Sequence, residues 1–182
     1  MFMPLPLRTP LRTPAARPVH TLHPGDVACV DRDERMETLL GSCVSIILTD
    51  PRRTVGAMCH VVHAQPSASG LSRETAHGEG ALRRLFALLR AKGIEPRLCQ
   101  AWVYGGGNMF PGRVGASAAQ GNVGAANVDW ALQALAGQGI RVLGSEVGGN
   151  AYRKLRWTVG PTDPELTAVA TDLDPAQTGE FS

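Results

Sequence analysis

No run of this 182-residue chain is long and apolar enough to cross a bilayer as a helix. The longest apolar stretches, Val44 to Leu48 and Val55 to Val62, fall far short of the roughly 20 residues a span needs. Charge of one sign is also lacking: 18 basic residues stand against 16 acidic ones, for a net charge of +2. Aromatics make up only 5%. The two small basic groups, Arg8, Arg12 and Arg17, and Arg153, Lys154 and Arg156, are not interleaved with rings that would stack on bases. They read as solvated faces, and nucleic acid is not an expected partner. No acidic residue precedes Asp26, which gives the Arg-containing start a faint likeness to a transit peptide. Proline at positions 4, 6, 10, 14, 18 and 24 blocks the amphipathic helix such a peptide requires, and no apolar core of a secretory signal is present.

The four cysteines, Cys29, Cys43, Cys59 and Cys99, show no Cys-x-x-Cys spacing. A reducing cytoplasmic setting fits them better than a disulfide scaffold. Cys29 and Cys99 lie in apolar surroundings and read as small buried hydrophobes.

With 43% hydrophobic residues the chain can bury one substantial core. Its composition divides it into a proline-rich, disordered start over 1–24, one domain over 25–171, and a loose tail over 172–182. A short strand is expected at Val27 to Val30, Asp31 to Arg35 is a polar connection, and Thr38 to Leu40 leads into the Gly-Ser bend. Val44 to Leu48 and Val55 to Val62 form a hairpin about the turn Thr49-Asp50-Pro51-Arg52-Arg53. Leu82, Leu85, Phe86 and Leu89 mark an amphipathic helix over Glu79 to Lys92, stopped by Gly93. Leu98 to Tyr104 suits a strand, and Ala125 to Ala136 a second helix with Asn122 as its cap and Gly137 to Gly139 as its end. Strands at Ile140 to Leu143, Leu155 to Val159 and Leu166 to Thr171 complete the domain. The rhythm is not that of a doubly wound sheet. A mixed sheet, or a pair of sheets with helices packed outside, is expected.

Chemistry concentrates in Leu40-Gly41-Ser42-Cys43-Val44. Gly41 frees the backbone to turn sharply before Cys43, whose amide can then help form a donor pocket for an oxyanion. Antiparallel pairing of the two hairpin arms brings His60, near the end of the second, close to Cys43. A thiol beside an imidazole base is the arrangement of covalent catalysis. Zinc binding by Cys59, His60 and His63 is disfavoured, because adjacent strand residues point to opposite faces. Gly105-Gly106-Gly107-Asn108 lacks the Lys-Ser/Thr of a phosphate loop. It reads instead as a turn that lets a substrate backbone approach beside Met109 and Phe110. Ser42, Gly106, Gly107 and Asn108 are the candidate substrate-binding residues, and no metal or other cofactor is expected.

The chain resembles the chemoreceptor glutamine deamidase family, CheD. The resemblance rests on Thr38-Leu39-Leu40-Gly41-Ser42-Cys43-Val44-Ser45, Asp50-Pro51, Val55-Gly56-Ala57-Met58-Cys59-His60, Tyr104-Gly105-Gly106-Gly107-Asn108-Met109-Phe110, and Gly148-Gly149-Asn150 with Arg153-Lys154-Leu155. These matches stand in family order from about Pro24 to Leu166. The resemblance implies a four-layer α/β/β/α sandwich, an α+β fold of mixed sheets like that of toxins that deamidate Rho-type GTPases. It implies hydrolysis of glutamine side-chain amides on the cytoplasmic helices of chemoreceptors through a thioester on Cys43, with His60 as base. A threonine that orients the histidine is implied too. Thr38 is the candidate, and Glu37 is the other residue that could face the ring. Some relatives bind a small phosphatase, CheC, a partner the resemblance extends to this chain. Two other readings are a non-catalytic receptor adaptor, and a metal or redox module using a Cys43–Cys59 disulfide.

Overall fold

Every residue of the run Val44–Thr49 is buried, whichever way its side chain points. A strand apolar on both sides must lie inside a sheet covered on both faces, and here that sheet is the middle layer of the molecule. The structure, a computed structural model, describes residues 17–65, 73–109 and 123–169. Phe110, Asn122, the start up to residue 16 and the tail 172–182 lie outside the described residues.

In chain order the strands are β1 (Val19–Leu22), β2 (Val27–Asp31), β3 (Arg35–Leu40), β4 (Val44–Thr49), β5 (Val55–Cys59), β6 (Gln100–Gly105), β7 (Arg141–Val147), β8 (Arg153–Thr158) and β9 (Glu165–Ala168). Helix α1 (Gly78–Ala91) precedes β6, and α2 (Val123–Gly137) follows it. One sheet has the order β2-β5-β4-β6-β7, the other β1-β3-β8-β9. Both are mixed: β6 and β7 run parallel in the first, β1 and β3 in the second, and the remaining pairs are antiparallel.

The expected hairpin is present as β4 and β5, paired antiparallel with Ile47 opposite Met58. Asp50 fixes its turn by accepting the amides of Arg52 at 3.1 Å, Thr54 at 2.7 Å and Val55 at 2.9 Å. Alternation along the central strands then sorts the core into two layers. Ile46, Leu48, Ala57, Cys59, Ala101 and Val103 meet Leu85 and Leu89 of α1 and Ala131 and Leu135 of α2. Their neighbours Ile47, Met58, Trp102 and Tyr104 face the second sheet and pack on Met36, Leu40, Leu155 and Trp157. Trp102 and Trp157 lie with ring centroids 5.7 Å apart.

The α+β sandwich of mixed sheets is thus as expected. Both described helices lie on the outer face of the five-stranded sheet, α1 against β2 and β5, α2 against β4, β6 and β7. Among the described residues no helix covers the far side of the four-stranded sheet. That face carries Arg35, Glu37, Arg156 and Glu165, which water solvates without a cover.

Several boundaries differ from expectation, among them those of β1, β5 and β6, and β7 runs on to Val147 where its strand is expected to end at Leu143. Val19–Leu22, inside the stretch 1–24 expected to be disordered, forms β1, because it runs beside β3 in register from Val19 opposite Arg35 to Leu22 opposite Thr38. Strand β6 starts at Gln100, since Pro96–Leu98 closes a 3-10 turn. Strand β5 ends at Cys59, and the chain rejoins β4 through a single bridge between Val61 and Val44. Those of β1 and β5 matter for the site, which sits where β4 begins, β6 ends and the segment after β5 bends away.

Candidate active site

Strand β3 is regular through Leu40, so alternation decides which of its residues look inward. Met36, Thr38 and Leu40 are buried between the sheets, and Arg35 and Leu39 are exposed on the other face. Glu37 points outward with them. It pairs with Lys154 Nζ at 3.0 Å and Arg156 Nε at 3.7 Å, and so does not face the ring of His60. Thr38 does: its Oγ1 lies 2.8 Å from His60 Nδ1.

This contact fixes the proton on the imidazole. Thr38 Oγ1 also donates to the carbonyl of Leu22 at 2.8 Å. A hydroxyl has one proton to give. With that proton on Leu22, the hydroxyl accepts from Nδ1–H, and Nε2 carries the free lone pair. Nε2 is buried and has no hydrogen-bond partner among the described residues. His60 is only 3% exposed, and burial lowers its pKa below the ordinary 6.5, against a smaller upward pull from the Leu22 carbonyl. The ring rests neutral.

Cys43 is half-buried, and together with His60 it lines one cavity. Two backbone bonds hold the walls together, Val44 N–H to Val61 carbonyl at 3.0 Å and Val61 N–H to Val44 carbonyl at 2.8 Å. Burial raises the Cys43 pKa above 9.0, offset in part by its own amide donating to the sulfur. Thiol and imidazole are therefore both neutral at rest, and the sulfur becomes nucleophilic only by handing over its proton. Ser42 and Gly41 line the same cavity, with Leu39, Met109 and Tyr152 as an apolar rim and no carboxylate among the described residues. Leu39 is 52% exposed at the mouth.

The glycine-rich segment, expected to let a substrate backbone approach, makes backbone bonds of its own. Gly106 N–H donates to the Cys43 carbonyl and Gly107 N–H to the Gly41 carbonyl, each at 2.8 Å, and Asn108 N–H to the Gly149 carbonyl at 2.7 Å. The amides of Gly106 and Gly107 hold the cysteine loop and that of Asn108 holds Gly149, and none of the three residues is among those that line the cavity. Glycine is required at Gly105, where φ is +108° and a Cβ would fall on the Cys43 carbonyl oxygen.

Three contributors escaped the sequence reading. The Leu22 carbonyl is a backbone atom and leaves no signal. Arg153, read as part of a solvated face, is nearly buried and donates to the carbonyls of Gly105 at 3.0 Å and Gly148 at 2.6 Å. Asn127 of α2 donates to the carbonyls of Ser42 at 3.1 Å and Val62 at 2.9 Å. A signal existed for it: Asn127 falls on the buried stripe Gly124, Val128, Ala131 and Leu135, where an amide is out of place unless it holds something.

The other cysteine chemistry is disposed of by the layering. Cys59 lies on the helix side of the central sheet, with its thiol on the Ile46 carbonyl, and Cys43 packs toward the inter-sheet side. All four cysteines are free, so the Cys43–Cys59 disulfide is not made. Burial pushes the thiols of Cys29, Cys59 and Cys99 up to about 11, 12 and 12, which leaves them inert. No three metal-ligating side chains gather among the described residues. No described helix is long and apolar enough to cross a membrane.

Comparison with known proteins adds an independent observation. Residues 63–163 match the family model described as CheD chemotactic sensory transduction. A probable chemoreceptor glutamine deamidase CheD 2 of Albidiferax ferrireducens is 35% identical over 144 residues, covering 78% of this chain and 82% of the relative. A probable CheD 3 of Dechloromonas aromatica is 35% identical over 145 residues, with 78% and 82% covered. A probable CheD 2 of Geobacter sulfurreducens is 33% identical over 134 residues, with 74% and 79% covered.

Proposed function

The chain belongs to the CheD family, and from that premise we propose that it is a protein-glutamine deamidase acting on chemoreceptors through a cysteine thioester. Its substrates are glutamine side chains on the cytoplasmic helices of methyl-accepting receptors, which places its work in the cytoplasm and in chemotaxis. A CheC-type phosphatase is proposed as a partner on the family resemblance.

Cys43 Sγ attacks the carboxamide carbon as its proton passes to His60 Nε2. The S–C bond forms, and the carbonyl π electrons move to oxygen, where the Cys43 amide receives them. The C–N bond then breaks, and the imidazolium returns its proton to the leaving nitrogen, which departs as ammonia. Water enters, gives its proton to Nε2 and adds to the thioester carbon. The C–S bond breaks, leaving glutamate on the receptor and the thiol restored. Thr38 keeps the ring in the tautomer that presents a bare Nε2 and steadies the imidazolium once it forms. Ser42 and the rim of Leu39, Met109 and Tyr152 receive the substrate, and Gly106 and Gly107 support the nucleophile loop rather than touch the glutamine.

The observation that carries this reading is the buried, unpartnered Nε2 of a ring fixed by Thr38, in the cavity that holds the thiol. Receptor cytoplasmic fragments incubated with the protein should release ammonia, and mass spectrometry should find specific glutamines converted to glutamate. Cys43→Ala and His60→Ala should each abolish both signals. Receptor binding and signalling that persist unchanged in the two variants, with no conversion by wild type, would instead make the protein an adaptor.

A further inference from the structure

Three consecutive carbonyls of the nucleophile loop are each captured by a donor. Gly107 N–H holds that of Gly41, Asn127 Nδ2 that of Ser42, and Gly106 N–H that of Cys43. Two of these donors are backbone, and the third is a side chain from a separate element. A peptide unit is planar and trans, so its carbonyl and its following N–H point in opposite directions. Anchoring the Ser42 carbonyl on α2 therefore turns the Cys43 N–H away from α2, to the side where the thiol and His60 line the cavity. Among the described residues the Cys43 amide donates to no backbone carbonyl, and its contact is the cysteine's own sulfur.

The orientation of Asn127 is not arbitrary. Both Nδ2 protons are committed, to Ser42 and to Val62, two carbonyls from the two chain segments that carry the catalytic pair. Reversing the amide would set Oδ1 against both carbonyls. Asn127 is 1% exposed, and its Oδ1 is buried without a partner among the described residues, a cost borne for the sake of the two bonds its nitrogen makes. A residue serving only to fill the α2 stripe would be apolar at this site.

We propose that Asn127 is a positioning residue of the reaction: by holding the Ser42 carbonyl it aims the Cys43 amide as the oxyanion donor. It touches neither substrate nor thiol. The inference rests on the deamidase reading, and its test separates the two.

The probe is a short peptide in which an aldehyde replaces the glutamine carboxamide. The thiol adds across the C=O, the S–C bond forms, and the former carbonyl oxygen occupies the oxyanion position. In Asn127→Leu, which keeps the side chain's volume and removes both donors, kcat should fall about 10²-fold with KM changed by less than about threefold. Aldehyde affinity should weaken in parallel with kcat, whereas binding of the unreactive glutamine peptide to the Cys43→Ala background should not change when Asn127→Leu is added. The pH of the acid limb of kcat/KM should stay where it is in wild type, because His60 and Thr38 are untouched. Loss of kcat with undiminished aldehyde affinity, or no loss at all, would overturn the proposal. A measurement on the wild type guards against a variant that fails to fold: the Cys43 amide proton should move strongly downfield when the aldehyde binds, and an unmoved resonance would overturn the proposal as well. Absence of ammonia release by wild type would count against the deamidase reading, while the aldehyde titration and the Cys43 resonance still decide the role of the loop.

Discussion

The hydroxyl of Thr38 has a single proton, and its destination sets the chemistry of the site. Given to the Leu22 carbonyl, it leaves Oγ1 to accept from His60, which leaves Nε2 bare to act as the proposed base. Thr38→Val keeps the shape and removes this logic, so kcat is expected to fall by about 10²-fold or more, measured as ammonia release. Thr38→Ser, which can repeat both bonds, should recover most of it. Denaturant unfolding of Thr38→Val should show a loss of about 1–3 kcal/mol for the buried groups left unpaired. The depressed pKa of His60 adds a pH prediction. The neutral base survives below the ordinary value of 6.5, so the acid limb of kcat/KM should fall below pH 6.5 in a pH–rate profile. The same shift links to stability. The unfolded chain takes up the proton more readily than the fold, so this contribution is complete above pH 6.5 and is lost as pH drops toward the lowered value. His60→Ala should flatten that part of the stability profile.

Strand β1 shows what an edge element can contribute. Only Leu22 of its four residues is fully buried, and the strand pairs on one side alone. Its weight in the core is small, yet its last carbonyl holds Thr38, and Thr21, Leu22, His23 and Pro24 all line the cavity. Removing residues 1–24 is therefore expected to abolish deamidation while leaving much of the far-UV circular dichroism in place. A truncated protein with unchanged kcat would show that the Leu22 carbonyl is dispensable. The glycine segment after β6 acts at the same scale. Gly105→Ala would need a strained φ of +108° and would drive a methyl group onto the Cys43 carbonyl oxygen. Slower alkylation of Cys43 by iodoacetamide, at little change in helix content, is the expected result.

Across the whole molecule, the site lies between two cores. One joins the helices to the central sheet and the other joins the two sheets, and Cys43 packs against the second, sharing its cavity with His60, which Thr38 contacts. The inter-sheet layer depends on close fit at its centre. Gly56 of β5 leaves the space that Trp157 occupies, since a Cβ there would overlap the indole. Trp157→Ala should cost about 3–5 kcal/mol, read from the urea midpoint. That is a large share of the roughly 5–15 kcal/mol that holds a domain of this kind together. Because the four-stranded sheet carries Thr38 and the five-stranded sheet carries Cys43, loosening this layer should lower activity before the helices melt.

Local pattern alone determined much of this protein. Apolar runs about an Asp-Pro turn specified the hairpin, the spacing of Leu82, Leu85 and Leu89 specified α1, and a thiol after Gly-Ser with a histidine on the returning arm marked the pair proposed to react. These are short-range features, written in the order of residues along one or two elements. What the tertiary structure decided depends on contacts between segments far apart in the chain. The choice of Thr38 over Glu37 came from the regular alternation of β3 between β1 and β8. The turn of the glycine segment toward the cysteine loop, the burial of Arg153 and the hold of Asn127 on Ser42 each join residues more than 40 positions apart. Hydrogen bonds to backbone carbonyls carry these contacts, and because every residue has such a carbonyl, only the fold selects which of them are used.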